Sequence, residues 1–141
     1  MMTPLALKLV GARILPVEIS NENLEKVLKG KHSKNMSADI VKQLPRALAD
    51  PLMIFDSYTG SNGEKRKVVV VDLKAVNGAT IVVPLELEAV NKDKKYTINE
   101  MKSAYGKTDK FTGEPRYEWF VEQLDAGNLQ YINKEKNRQT I

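Results

Sequence analysis

The spacing of apolar residues changes near residue 50. Before it, they recur three and four positions apart, as on one face of a helix; after it, they come in short continuous or alternating runs, as in strands. The segment Leu5 to Ile19 fits neither pattern: Gly11 and Pro16 interrupt it, and it reads as an extended lead-in. Ser20 stands where an N-cap belongs, followed by Leu24, Val27 and Leu28 at helical spacing and by Gly30 as a stop. Ser37 opens a second helix, with Asp39 in its positive first turn and Ile40, Val41 and Leu44 as its apolar positions. Pro45 removes a donor and crowds the preceding turn, so this helix is expected to end or kink there. A short helical turn over Arg46 to Ala49 then meets the break at Asp50-Pro51.

The strand region opens with Leu52-Met53-Ile54-Phe55, which runs into Asp56-Ser57 and a loop, Tyr58 to Arg66, rich in turn residues. Val68 to Leu73 is β-branched and nearly continuous, as in a central strand buried on both faces. Asn77-Gly78 marks a hairpin, in its two-residue type I′ form, and Thr80 to Leu85 is the return strand. Pro84 lacks a ladder donor and predicts a bulge or an edge. Beyond it, Leu85, Leu87 and Ala89 alternate with Glu86, Glu88 and Val90. A charged turn, Asn91 to Lys94, precedes a fourth strand from Lys95 to about Met101. The polar stretch Lys107 to Pro115 reads as a flexible loop. A last helix covers about Arg116 to Leu124, with Trp119, Phe120 and Leu124 turned inward. Gly127-Asn128 ends that helix, and Leu129 to Ile132 adds a short strand.

These elements predict an α+β fold, N-terminal helices followed by a four-stranded antiparallel sheet and a C-terminal helix. No repeat or linker divides the chain, so residues 1–141 are expected to form a single domain, with an ordered core over about 5–132 and a polar tail at 133–141.

Composition narrows the functional classes. A chain of 141 residues, 42% hydrophobic and 28% charged, is an ordinary globular domain with no apolar run long enough to cross a bilayer. Lys8, Gly11, Arg13 and Pro16 break the apolar N-terminal stretch, so it has no continuous signal-peptide core. The doubled Met1-Met2 reads as a start added to a segment excised from a longer protein. Zero cysteines exclude disulfides, zinc–thiolate sites and thiol nucleophiles, and the one histidine is joined by no acidic motif at metal-ligand spacing. No metal or other cofactor is therefore expected. A net charge of +4 leans toward a polyanionic partner, or is simply a coat of solvated lysines.

Proton transfer near neutrality points to His32, which lies in Lys31-His32-Ser33-Lys34 between the two helices, with cations to lower its pKa and attract phosphate. It also reads as a plain surface histidine. Ser103-Ala104-Tyr105-Gly106-Lys107 places two hydroxyls, a close-approach glycine and a cation in succession at a strand end, enough to bind an oxyanion. The alternative is a packed Tyr105 beside an exposed Lys107. Ser57 can hydrogen-bond a phosphate or cap a turn. Lys65-Arg66-Lys67 is a basic loop tip that contacts either solvent or nucleic acid. Arg116 and Trp119 begin the last helix region, and Trp119 is read as core, although an aromatic also stacks on bases.

Several of these short motifs together resemble a known family. Lys31-His32, Gln43-Leu44-Pro45, Leu48-Ala49-Asp50-Pro51, Ile54-Phe55-Asp56-Ser57, Ser103 to Lys107, Trp119 and Tyr131-Ile132-Asn133-Lys134 occur in an order and at a spacing similar to the C-terminal domain of phage MuF-type head-morphogenesis proteins and large polyvalent phage proteins. The likeness spans about residues 5–136. It implies a toxin-like effector of the barnase–EndoU–colicin–RelE group, whose members cleave RNA without metal. His32 would then be base or acid, Tyr105 the partner proton donor and Lys107 the charge stabiliser. Lys31, Ser57, Ser103 and Arg116 would hold the substrate. RNA is the implied substrate, a cognate immunity or antitoxin protein the implied inhibitor, and the bacterial cytoplasm the site of action, with virion association as part of a larger phage protein. No membrane partner is implied. The lysine-rich segments 91–95 and 107–115 depart from the group's pattern. Two other functions are expected to look different. A non-catalytic phage module binding nucleic acid or a head protein would leave His32 and Tyr105 apart, and an enzyme acting on a nucleotide would need a closed pocket.

Overall fold

A computed structural model describes residues 1–30, 33–57, 65–91, 96–109 and 111–135. Among them run α1 (Leu5–Leu9), β1 (Val17–Ile19), α2 (Asn21–Lys29), a 3-10 turn (Ser33–Asn35), α3 (Ala38–Ala49), β2 (Met53–Asp56), β3 (Lys65–Lys74), β4 (Thr80–Asn91), β5 (Tyr96–Met101), β6 (Tyr105–Gly106), α4 (Glu118–Asp125) and β7 (Leu129–Ile132). The α+β class holds, but the sheet has seven strands rather than four and is mixed rather than antiparallel. Its order is β1-β5-β4-β3-β2-β7, with β6 continuing along the β5 side of β4. The β1–β5 pairing is parallel.

Both predicted N-caps form. The Ser20 hydroxyl accepts from Asn23 N at 3.1 Å, and that of Ser37 from Ile40 N at 3.2 Å, each satisfying a donor that the first turn leaves open. The lead-in is not wholly extended, since it contains α1 and β1. Nor does α3 end at Pro45; it runs through the ring to Ala49 and absorbs the expected separate turn. Leu44, Ala47 and Leu48, buried on one face across the proline, hold it together by packing.

Alternation along the strands builds two apolar layers. Ile54, Val69, Val71, Ile81, Val83 and Leu85 face a cluster shared with α1, α2 and α3. Met53, Phe55, Val70 and Val82 face the other way, onto Phe120 of α4, with Tyr105 and Trp119 packed against that cluster. The valine run is thus buried on both faces, as its pattern predicted.

β3 and β4 pair antiparallel around Asn77-Gly78, but not through a type I′ turn, which needs positive φ at both residues. Gly78 alone has it, at 87°. Gly78 N donates to Ala75 O and Ala75 N to Ala79 O, the pattern of a type I turn closed by a left-handed glycine. Pro84 makes neither a bulge nor an edge with β3, where the register runs unbroken through Val68↔Pro84; the irregularity lies on its other side. Its carbonyl accepts from Lys102 N at 2.9 Å, on the side where residues 102–104 leave the ladder between β5 and β6. A second irregularity follows at Glu88, whose φ is 55° and whose N–H donates to Asn99 Oδ1.

The N-terminal segment is bound tightly to the sheet. Asn99, wholly buried, donates to Thr3 Oγ1 at 2.8 Å and to Arg13 O at 3.0 Å. Tyr96 donates its hydroxyl to Glu18, and Asn23 Nδ2 reaches Glu100 and Met101 O. The C-terminal end is anchored as far as Asn133, which bonds Leu52 O and Asp50, so the polar tail is not loose from its first residue. Residues 107–109 and 111–115 form the arms of a small hairpin rather than a flexible loop: Thr108 bridges Pro115, and Asp109 Oδ1 accepts from Phe111 N and Thr112 N.

Candidate active site at the β6 edge

Lys31 and His32 lie outside the described residues. What can be placed is the 3-10 turn that follows them in the chain. It runs beside β6, with Asn35 O accepting from Val76 N at 2.8 Å, while Met36 joins the cluster on the opposite face from Tyr105.

The structure does bring Tyr105, Lys107 and Arg116 together. β6 pairs with β4 through Val82↔Tyr105 and Ile81↔Gly106, so the Tyr105 ring follows Val82 onto the α4 face. Gly106 is required at its position. A Cβ there would stand 2.8 Å from Ala75 Cβ and 2.9 Å from Ala79 Cβ, too close for a side chain. Lys107 N donates to Thr80 O, and Arg116 N donates to Lys107 O at 3.0 Å, which sets the two cations on facing arms of the small hairpin. Ser103 is half-buried in the link just before β6.

Trp119 supplies a floor to this group. Its ring packs edge-on against Phe55, with centroids 5.7 Å apart, and against Phe120 at 5.2 Å. Lys107 Nζ lies 4.8 Å from its centroid and 5.9 Å from that of Tyr105. The residue is therefore core on one side and a cation platform on the other. Arg116 is held by Glu122 and, at 3.9 Å, by Glu118. Glu122 was not legible as a site residue. It lies three positions beyond Trp119, on the same side of α4, and only the docking of that helix brings it to Arg116.

These surroundings act on the two titrating groups. Burial raises the pKa of Tyr105 above 10.0, so its hydroxyl keeps its proton through the neutral range. Lys107 is lowered from 10.5, first by burial and then by the Arg116 charge, while Glu122 opposes both. In the window between its folded and unfolded pKa the unfolded chain binds more protons, so this lysine adds stability as pH rises through that window. Trp119 is the sole tryptophan and reports on the amine directly. Alkaline titration of its fluorescence is expected to show a transition below 10.5 that Lys107→Met abolishes and Arg116→Gln moves upward. A midpoint unmoved by Arg116→Gln would mean that the two charges do not interact.

Ser57 is not part of the group. Tyr105 lies in one row with Val82, Val70 and Met53, and Ser57 follows Met53 by four residues. Three strand spacings and four residues of rise put it roughly 20 Å away. The Ser57 N–H donates to Arg66 O at 3.2 Å, carrying the β2–β3 pairing one residue beyond Asp56↔Lys67. The basic run Lys65-Arg66-Lys67 is no loop tip either. It opens β3, and its members pair with Glu88 at 3.2 Å, Glu86 at 3.7 Å and Asp56 at 3.1 Å. The Glu88 carboxyl is held below its usual range by hydrogen bonds from Lys65 and then Arg13. Among the described residues no three His, Asp or Glu side chains stand together as metal ligands would, and no helix is long and apolar enough to cross a membrane.

A mixed sheet covered on both faces, with a cation group at one short edge strand, defines an α+β domain whose polar chemistry gathers at the sheet edge. A family model described as the phage MuF C-terminal domain matches residues 25–139. The chain belongs to that phage domain family. No curated protein and no solved structure matches it.

Proposed function

We propose that the domain is a phage effector that cleaves RNA by metal-independent transphosphorylation in the bacterial cytoplasm. The observation that carries this reading is the convergence of Lys107, Arg116 and the protonated Tyr105 hydroxyl's ring on one edge, floored by Trp119. A phosphate entering there meets two cations, and the burial of Lys107 strengthens its hold on developing charge. Tyr105 is suited to protonate the leaving 5′-oxygen. His32 is suited to take the proton of the attacking 2′-hydroxyl, and the turn just after it in sequence lies alongside β6. Ser103 precedes Tyr105 by two residues and supplies a further hydroxyl for the substrate. A cognate inhibitor protein would cover the same edge.

Inducible expression in bacteria tests the reading. The wild type is expected to arrest growth and degrade RNA, and His32→Ala and Tyr105→Phe to lower the cleavage rate by about 10²–10⁴-fold each. Full toxicity in both variants, or arrest without RNA cleavage, would remove the nuclease assignment.

A further inference from the structure

The hairpin whose arms carry Lys107 and Arg116 has an aromatic residue at its tip that neither apolar layer uses. Phe111 is 85% exposed, and its backbone is fixed rather than trailing. Asp109 Oδ1 accepts from Phe111 N at 2.8 Å and from Thr112 N at 3.1 Å. Asp109 N donates to Glu114 O, Gly113 N to Asp109 O, and Asn77 Nδ2 to Gly113 O across the β3–β4 turn. Gly113, at a φ of 73°, permits the tight reversal. The braced turn thus holds a broad aromatic surface open to solvent on the arm beside the two cations.

We infer that Phe111 is a stacking platform for an unpaired base of a single-stranded nucleic acid whose phosphate lies at Lys107 and Arg116. The inference rests on the proposed function and deepens it, by naming single-stranded rather than duplex substrate. Its geometry follows from the hairpin. Phe111 lies four positions beyond Lys107, so their Cα atoms stand at most about 13 Å apart along the arm, within reach of a neighbouring nucleotide on the same strand. A base in a duplex has both faces occupied by its neighbours, whereas an unstacked base offers a whole face to an aromatic ring. The Asp109 carboxylate is turned into the loop, where it receives backbone N–H groups.

Fluorescence anisotropy with a labelled 2′-fluoro oligouridylate, which lacks the attacking hydroxyl, tests the inference. Relative to wild type, Phe111→Ala is expected to bind about 5- to 150-fold more weakly, and Phe111→Trp at least as tightly as wild type. A strand of the same length with abasic sites is expected to bind wild type and Phe111→Ala alike, because only the phosphate contacts remain. Equal binding of the oligouridylate by wild type and Phe111→Ala would overturn the platform and leave the nuclease reading standing. So would an equal loss on the abasic strand. Failure of the wild type to bind either strand would overturn both.

Discussion

Phe55→Ala is expected to destabilise the domain by about 3–5 kcal/mol, the range for deleting a fully buried aromatic ring. Phe55 has no solvent exposure. It sits in the smaller apolar layer among Leu52, Met53, Val70, Val82 and Phe120, and meets the Trp119 ring edge-on at 88°. Beneath it is a strand paired on both sides, so the backbone has little freedom to collapse into the cavity. Above it, α4 spans only eight residues and depends on this layer for its place. Thermal unfolding followed by circular dichroism should show a midpoint lower by roughly 10 °C or more. Phe55→Leu should recover much of the loss, since it restores most of the volume. A penalty under about 1 kcal/mol for the alanine variant would mean that α4 does not pack against the sheet as described.

Lys107→Met should have a large effect on activity while sparing the fold. Methionine keeps the apolar stem over Trp119 and removes the charge that burial and Arg116 already disfavour. RNA cleavage is expected to fall by about 10²–10³-fold, the usual consequence of losing one stabilising contact to a developing oxyanion. Its unfolding midpoint at neutral pH should be no lower than that of the wild type. Lys107→Arg keeps a cation but spreads it over a planar fork, and is expected to recover only part of the rate. Unchanged cleavage by the methionine variant would remove Lys107 from the reaction.

Where local chemistry decides the structure, the sequence was readable. Ser20 and Ser37 marked helix starts because each hydroxyl serves a donor within its own first turn. The valines of β3 and β4 marked buried strands because both faces are covered. β1 was invisible for the opposite reason: three residues that pair in parallel with a strand some eighty positions away leave no local period. β6, two residues long, owes its existence to the place left along β4 beyond Pro84. The site divides in the same way. Tyr105, Gly106 and Lys107 are adjacent in sequence and were legible together. Their meeting with Arg116, Trp119 and Glu122 depends on a hairpin and on the docking of α4, both of which are tertiary. The basic run of β3 misled because composition shows cations and not the carboxylates paired with them across strands.

The ties between the N-terminal segment and the sheet bear on where this domain begins as a folding unit. Family likeness starts at residue 25, yet β1, the Thr3 and Arg13 contacts to Asn99 and the cap of α2 all lie before it. A polypeptide trimmed to the matched segment would bare the outer edge of β5, a row of open donors and acceptors that invites pairing with other chains. It would also take from the Asn99 Nδ2 both of its acceptors, Thr3 Oγ1 and Arg13 O. The segment that folds together is therefore longer than the segment the family model matches, and residues 1–24 serve as a built-in edge guard for the sheet.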